Sequence, residues 1–263
     1  MNQDNILNNI KLAAFDLDGT VYIGNNQVEF ASDVIDFIKY SGIKVVYFTN
    51  NSASSIDKIF NKIINLGIKL DIEDIYSSGM FAGIFLAENK IDDIYLIGTD
   101  DIKYETSKYV NVVEAKFAKN LLVALDPKFN YEKITNAINI IKNGGKFIVC
   151  NVDKTFPFDR NKILPGCGSM VYSISYIIGK EPDFIIGKPN DYLLDKIARK
   201  FNINNHNEII IIGDSFESDI GMARKFGSKS VLINIETPNY SSDNFYHFTN
   251  MNNFLCNIKK EAR

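Results

Sequence analysis

Four apolar stretches of this chain each end abruptly on a polar or charged side chain: LAAFDLDGT on Asp16 and Asp18, KVVYFTN on Thr49 and Asn50, DFIIGKP on Lys188, and IIIIGD on Asp214. Buried parallel strands read as continuous hydrophobic runs, and in open α/β sheets the ligand crevice lies just beyond their carboxyl ends. Strands sharing one sheet would bring three carboxylates, a hydroxyl and an ammonium to a single spot. Such a spot suits Mg2+ and phosphate.

Composition narrows the partners. The 263 residues are 46% hydrophobic and 23% charged, enough to bury a sizeable core in one large domain or two modest ones. A formal net charge of -3 argues against holding nucleic acid or a membrane surface through bulk positive charge, though a small anion could be held locally. Cys150, Cys167 and Cys256 are widely spaced, odd in number and without a CxxC pair, which fits a reducing compartment and offers neither a disulfide framework nor a zinc site. His206 and His247 are the only histidines, so histidine-based metal centres and Ser-His-Asp triads are not expected. No run approaches the ~18 apolar residues of a membrane span, and MNQDNILNNIK lacks the charged start and apolar stretch of a secretion signal. The expected location is cytoplasmic.

Strand and helix patterns alternate along the chain. After the strand ending at Asp18, polar Gly24, Asn25 and Asn26 interrupt the short apolar pieces of VYIGNNQV, which predicts a hairpin over the strand end. Val34, Ile35 and Ile38 recur at helical spacing before Gly42, and a second helix runs from Ser54 or Ser55 through Ile56, Ile59, Phe60, Ile63 and Ile64 to Gly67. This β-α-β-α order predicts a parallel sheet with covering helices. From about residue 81 to 185 the same grammar continues with strands IYLIG, NLLVALD and KFIVCN of its own. The expected organisation is a discontinuous domain, residues 1–80 and 186–263, with a second α/β domain, 81–185, inserted between its halves.

Asp16 and Asp18 stand two apart at a strand end, a spacing that tends to project both carboxylates the same way before Gly19 turns the chain. Like charges that close resist joint ionisation unless a cation compensates. An isolated DxDG is as often a solvated turn, but Leu12, Ala13, Ala14 and Phe15 deliver these carboxylates on a rigid strand. An ionised Asp16 near Mg2+ could attack phosphorus and form an aspartyl-phosphate, while a protonated Asp18 could give its proton to the leaving oxygen. Asp214, after four isoleucines and Gly213, is the natural third carboxylate of a site for a hard cation. Asp219 either serves the dipole of the next helix, or holds a metal-bound water or orients Asp214. Lys188 would keep Asp16 ionised and neutralise a transferring phosphoryl group. Thr49 and Asn50 supply a hydroxyl and N–H donors for phosphoryl oxygens, although TNNS alone more often makes a polar loop or helix cap.

As a set, FDLDGTVY, YFTNNS, IIGKP and IIGDSFESDI resemble the four motifs of the haloacid dehalogenase-like (HAD) phosphatases. The segment LDPKFNYEKITNAINIIKNGGKFIVCNVD, followed by ILPGCG, is similar to the cap domain of the NagD-like, 4-nitrophenylphosphatase-like subfamily. The resemblance implies an α/β fold with a Rossmann-like parallel-sheet core, an inserted and mobile α/β cap, and Mg2+-dependent hydrolysis of phosphate monoesters. By position it implies Asp16 as nucleophile and metal ligand, and Asp18 as general acid that also binds Mg2+ through its backbone carbonyl. It implies Thr49 and Asn50 as the phosphate-binding pair, Lys188 as the phosphate-neutralising lysine and Asp214 as the remaining protein metal ligand. Ser215 borders the site as a candidate substrate contact, and Asp219 joins the candidate metal ligands. VALD and CNVD depart from the common cap pattern, which leaves the chemistry intact but makes substrate transfer from any one relative unsafe. Asn151, Asp153, Pro165 and Gly166 are candidates for the cap surface facing the substrate, against the alternative that they only form turns. Tyr172 and Tyr176, at helical spacing with Ile177, read as core or subunit-interface residues rather than a nucleobase platform.

The resulting expectation is a phosphatase of small phosphate monoesters such as nucleotides or sugar phosphates, with no nucleic-acid or membrane partner and a subunit number compatible with a homodimer. Two alternatives stand beside it. One is a phosphotransferase or mutase passing the same aspartyl-phosphate to an acceptor hydroxyl; the other is a non-catalytic protein that binds a phosphorylated metabolite. A receiver-like signalling domain also combines Asp, Thr, Lys and Mg2+, but its usual size does not account for the insertion.

Overall fold

The structure, a computed structural model, describes residues 5–159, 162–234 and 245–261. Residues 1–4 of the stretch read above for a secretion signal lie outside them. The chain separates into two compact units, one made of residues up to Phe48, Lys62–Ile75 and Lys188 onward, the other of Thr49–Asn61 and Tyr76–Gly187.

The first unit is built on a Rossmann-like sheet of six strands in the order Tyr246–Phe248, Lys229–Ile233, Ile209–Gly213, Leu12–Asp16, Lys44–Thr49, Ile75–Ser77. Its first five strands pair in parallel, with Leu12 opposite Ile209 on one side and Lys44 on the other. Leu12 to Phe15 and Ile209 to Ile212 are wholly buried, as unbroken apolar runs require of central strands covered on both faces. Helix Ala31–Tyr40 turns Val34, Ile35 and Ile38 inward and packs against the last helix, Met251–Glu261, which buries Met251, Phe254, Leu255 and Ile258 at helical spacing. Tyr22–Ile23 and Asn26–Gln27 form the antiparallel hairpin that the interrupted apolar pieces predict.

The second unit has its own five-stranded parallel sheet, ordered Phe184–Ile185, Phe147–Val149, Asn120–Val123, Asp93–Ile97, Asn111–Val112. Its core joins Leu121, Val123, Phe147 and Val149 to Ile140, Val171 and Ile174 of the helices Tyr131–Lys142 and Cys167–Ile178. Asn130 caps the first of these helices by accepting the Lys133 N–H at 3.0 Å. An antiparallel hairpin pairs Thr155–Asp159 with Lys162–Pro165.

Two expectations are corrected here. The DFIIGKP run does not join the sheet of the other three: Phe184–Ile185 pairs with Phe147–Val149 in the second unit. An apolar run records burial, not which strand lies beside it. Of the two settings read for Tyr172 and Tyr176, core or subunit interface, the core is ruled out by their 47% and 90% exposure. Helix Cys167–Ile178 buries Cys167, Met170, Val171 and Ile174, and this periodicity leaves both tyrosines outside the apolar stripe. Cys150 and Cys167 are buried, Cys256 is exposed, and none is in a disulfide. No helix among the described residues is long and apolar enough to cross a membrane.

Candidate active site

Because the strands Leu12–Asp16 and Ile209–Gly213 run side by side in parallel, Asp16 at the end of one and Asp214 just after the other emerge at the same edge of the first unit. Asp219 joins them from the π turn Phe216–Ile220, and ligand oxygens of the three carboxylates lie within 4.8 Å of one another. Lys188 is only 3% exposed. Its ammonium stands 2.5 Å from Asp16 Oδ1 and 2.7 Å from Asp219 Oδ1, and 4.6 Å from the centre of the Phe48 ring.

Asp219 has no solvent exposure. Its Oδ2 accepts the Ser215 N–H at 3.1 Å, and Ser215 Oγ accepts the Ser218 N–H at 3.2 Å, which fixes the turn. A Cβ on Gly213 would sit 2.2 Å from Asp219 Oδ2. Glycine at that strand end is therefore what admits the buried carboxylate, a close approach that no larger residue permits without a shift.

Burial drives the Asp16 carboxyl well above its ordinary range; Lys188 opposes the rise, while Asp219 and Asp214 add to it. Asp214 is lifted to about 7 by burial and then by Asp219, against the pull of Lys188 and of the Thr20 hydroxyl. Burial would deprotonate Lys188, but its two carboxylate partners outweigh that and hold the ammonium charged above its ordinary range. Three carboxylates face one ammonium, so full ionisation leaves two negative charges uncompensated. A divalent cation balances that excess, and an all-oxygen donor set suits a hard ion. The residues present thus fit a divalent metal.

Several neighbours of the cluster had no role in the sequence reading. Thr20, fully buried, donates its hydroxyl to Asp214 Oδ1 at 3.2 Å, and Asn234 Nδ2 donates to the Asp214 carbonyl at 3.1 Å. Asn234 was legible by the same rule that found the others, because it ends the apolar run SVLIN. Asp18 lies past the strand end, partly exposed, with the Tyr22 hydroxyl 3.4 Å from its Oδ2. The Lys62 ammonium sits 3.7 Å from the centre of the Tyr22 ring. Burial, then the Asp18 charge, push the Tyr22 phenol well above its ordinary range and keep it a neutral donor.

Thr49 and Asn50 belong to the second unit. Thr49 Oγ1 accepts the Asn51 N–H at 3.0 Å, closing a tight turn. Asn50 Nδ2 donates to both Asp153 oxygens, at 3.1 and 2.9 Å. The Asn50 carbonyl accepts from Asn151 Nδ2 at 2.6 Å and from Ser78 Oγ at 2.9 Å. Asn151 and Asp153 are thus turned onto this loop. Pro165 ends the hairpin strand Lys162–Pro165 and Gly166 opens helix Cys167–Ile178, its N–H donating to the Lys154 carbonyl at 2.8 Å.

Residues 13–110 match the family described as haloacid dehalogenase-like hydrolase, and residues 185–241 match a second described as HAD-hydrolase-like. An acid sugar phosphatase of Staphylococcus saprophyticus is 29% identical over 81% of this chain and 82% of its own. A 5'-nucleotidase of Bacillus subtilis is 28% identical over 83% of this chain and 84% of its own. The fold superposes on the crystal structure of a 4-nitrophenylphosphatase from Thermotoga maritima with a TM-score of 0.87, at 24% identity and covering 95% and 98% of the two chains. The two matches, which together span more than half of the chain, place it among the haloacid dehalogenase-like hydrolases.

Proposed function

We propose that this chain, a phosphatase of the haloacid dehalogenase-like family, hydrolyses small-molecule phosphate monoesters through an aspartyl-phosphate on Asp16, with Mg2+ as its metal. Sugar phosphates and nucleotides are the substrate classes, the former in keeping with the acid sugar phosphatase it resembles and the latter with the 5'-nucleotidase. The observation that carries the reading is the buried Lys188 ammonium held between Asp16 and Asp219, with Asp214 alongside.

Asp16 must be ionised to attack phosphorus, and burial works against that. Lys188, at 2.5 Å, opposes that rise and favours the ionised carboxylate. Attack of Asp16 Oδ on phosphorus breaks the bond to the ester oxygen, and Asp18 gives that oxygen its proton. Water then attacks the phosphorus of the acyl phosphate, Asp18 takes the water proton, and inorganic phosphate leaves with Asp16 regenerated. Mg2+, held by the carboxylates of Asp16 and Asp214 and the carbonyl of Asp18, with Asp219 beside them, would neutralise charge on the phosphoryl group and so favour attack. Thr49, Asn50 and Ser215 would be the phosphate contacts, and the inserted α/β segment, residues 81–185, would serve as the cap that the family resemblance implies. A reducing cytoplasm suits the three unpaired cysteines.

The test is phosphate release from a panel of metabolite monophosphates, with and without Mg2+, alongside the Asp16→Asn variant. Release that requires the metal and vanishes in the variant is expected. Substantial release by the variant would remove Asp16 from its role.

A further inference from the structure

The turn Thr49–Asn51 is held from behind by an unusually full set of side chains, all within the second unit. Asp153 takes the Asn50 amide at both oxygens. Asn151, 3% exposed, grips the Asn50 carbonyl and also donates to Ser52 Oγ at 3.0 Å. Ser52 Oγ in turn accepts the Leu125 N–H at 3.1 Å, which anchors the turn to the residues following strand Asn120–Val123. Asn151 Oδ1 accepts the Asp153 N–H at 3.2 Å, so the two clamping residues also fix each other.

The chemistry of the pair sets the orientation of Asn50. An ionised carboxylate only accepts, so the end of the amide facing Asp153 must be the NH2 end. The other end, Oδ1, lies against Gly187, where an added Cβ would come within 2.3 Å of it. The side chain of Asn50 is therefore seated between an acceptor on one side and a glycine on the other, and its backbone is fixed with it.

We propose that Asp153, supported by Asn151, is a positioning residue for the phosphate-binding turn rather than a contact to the substrate's leaving group. The inference rests on the reading of Thr49 and Asn50 as phosphate ligands. A turn that binds a phosphoryl group through a hydroxyl and N–H donors works only if it is ordered before the ligand arrives. The Asp153 carboxylate supplies that order through a charge-assisted pair of hydrogen bonds.

The experiment compares wild type with Asp153→Ala and Asp153→Asn, using 4-nitrophenyl phosphate and a hexose phosphate as substrates and inorganic phosphate as competitive inhibitor. Asp153→Ala should raise KM for both esters and Ki for inorganic phosphate by one common factor, about tenfold, with a smaller change in kcat. Asp153→Asn keeps one acceptor oxygen for Asn50 and should recover part of that loss. Inorganic phosphate has no leaving group, so its Ki isolates the turn. A Ki unchanged in both variants, or a KM that moves for one ester alone, overturns the proposal. If Asp153→Ala does not fold, Asp153→Asn decides by the same ratio. A wild type that releases no phosphate would instead refute the hydrolase reading, whatever Asp153 does.

Discussion

Replacing Lys188 with methionine removes a charge while keeping most of the buried side-chain volume. At an effective dielectric near 20, unit charges at the observed separations of 2.5 and 2.7 Å attract by about 6 kcal/mol each. Desolvation of the three groups offsets most of that, and removing one partner of a buried pair costs about 3–5 kcal/mol because the remaining charges are stranded. Asp16, already raised by burial, would relieve the stranded charge in the variant by taking up a proton. The folded-state carboxyl pKa then rises further above its unfolded value of about 3.9. Between those two values the folded state holds more protons than the unfolded, so stability falls as pH rises. Equilibrium urea unfolding of wild type and Lys188→Met, with a chelator present, should show a deficit of about 3–5 kcal/mol near pH 8 that shrinks near pH 5. A deficit below about 1 kcal/mol at the higher pH, or one equal at both, would refute the electrostatic account.

Other outcomes follow from the same geometry. Asp16→Asn should lower phosphate release by a factor on the order of 10³ or more in single-turnover assays while leaving the far-UV circular dichroism unchanged. Asp214, raised to about 7 by burial and Asp219, binds its proton more tightly in the folded than in the unfolded state. The metal-free protein should therefore lose stability as pH climbs from about 4 to about 7, and added Mg2+ should cancel that slope in thermal scans. Gly213→Ala places a Cβ 2.2 Å from Asp219 Oδ2. It should cost about 1–3 kcal/mol by denaturant unfolding, and an undiminished midpoint would show that Asp219 can move aside.

Much of this site could be read from the chain because strand ends are marked locally. Asp16 and Asp214 terminate long apolar runs, and a run of four isoleucines has little choice but to be a central strand. Lys188 was legible as the end of such a run too, yet its strand, Phe184–Ile185, sits in the other sheet. Only strand pairing, which no local pattern records, could reveal that. The depth of Asp219 was equally hidden. A carboxylate in a short turn reads as a helix-dipole charge, and its burial depends on the absent side chain of Gly213 and on Lys188 arriving from elsewhere in the sequence. Thr20 was visible in the DGT run, but its bond to Asp214 spans distant segments. For the tyrosines of helix Cys167–Ile178 the sequence left core and subunit interface open, and the core half fell because the stronger stripe of Met170, Val171 and Ile174 takes the buried face.

The pairing of Leu12 with Ile209 has a consequence for the order in which the molecule can be made. A ribosome releases the strand carrying Asp16 long before it has synthesised the neighbour that strand requires, so the nascent amino terminus must wait as an unfinished edge. Tyr76–Gly187, by contrast, emerges as one continuous stretch whose sheet needs no later residue. Chains halted before residue 209 should therefore carry a settled second unit and no assembled carboxylate cluster.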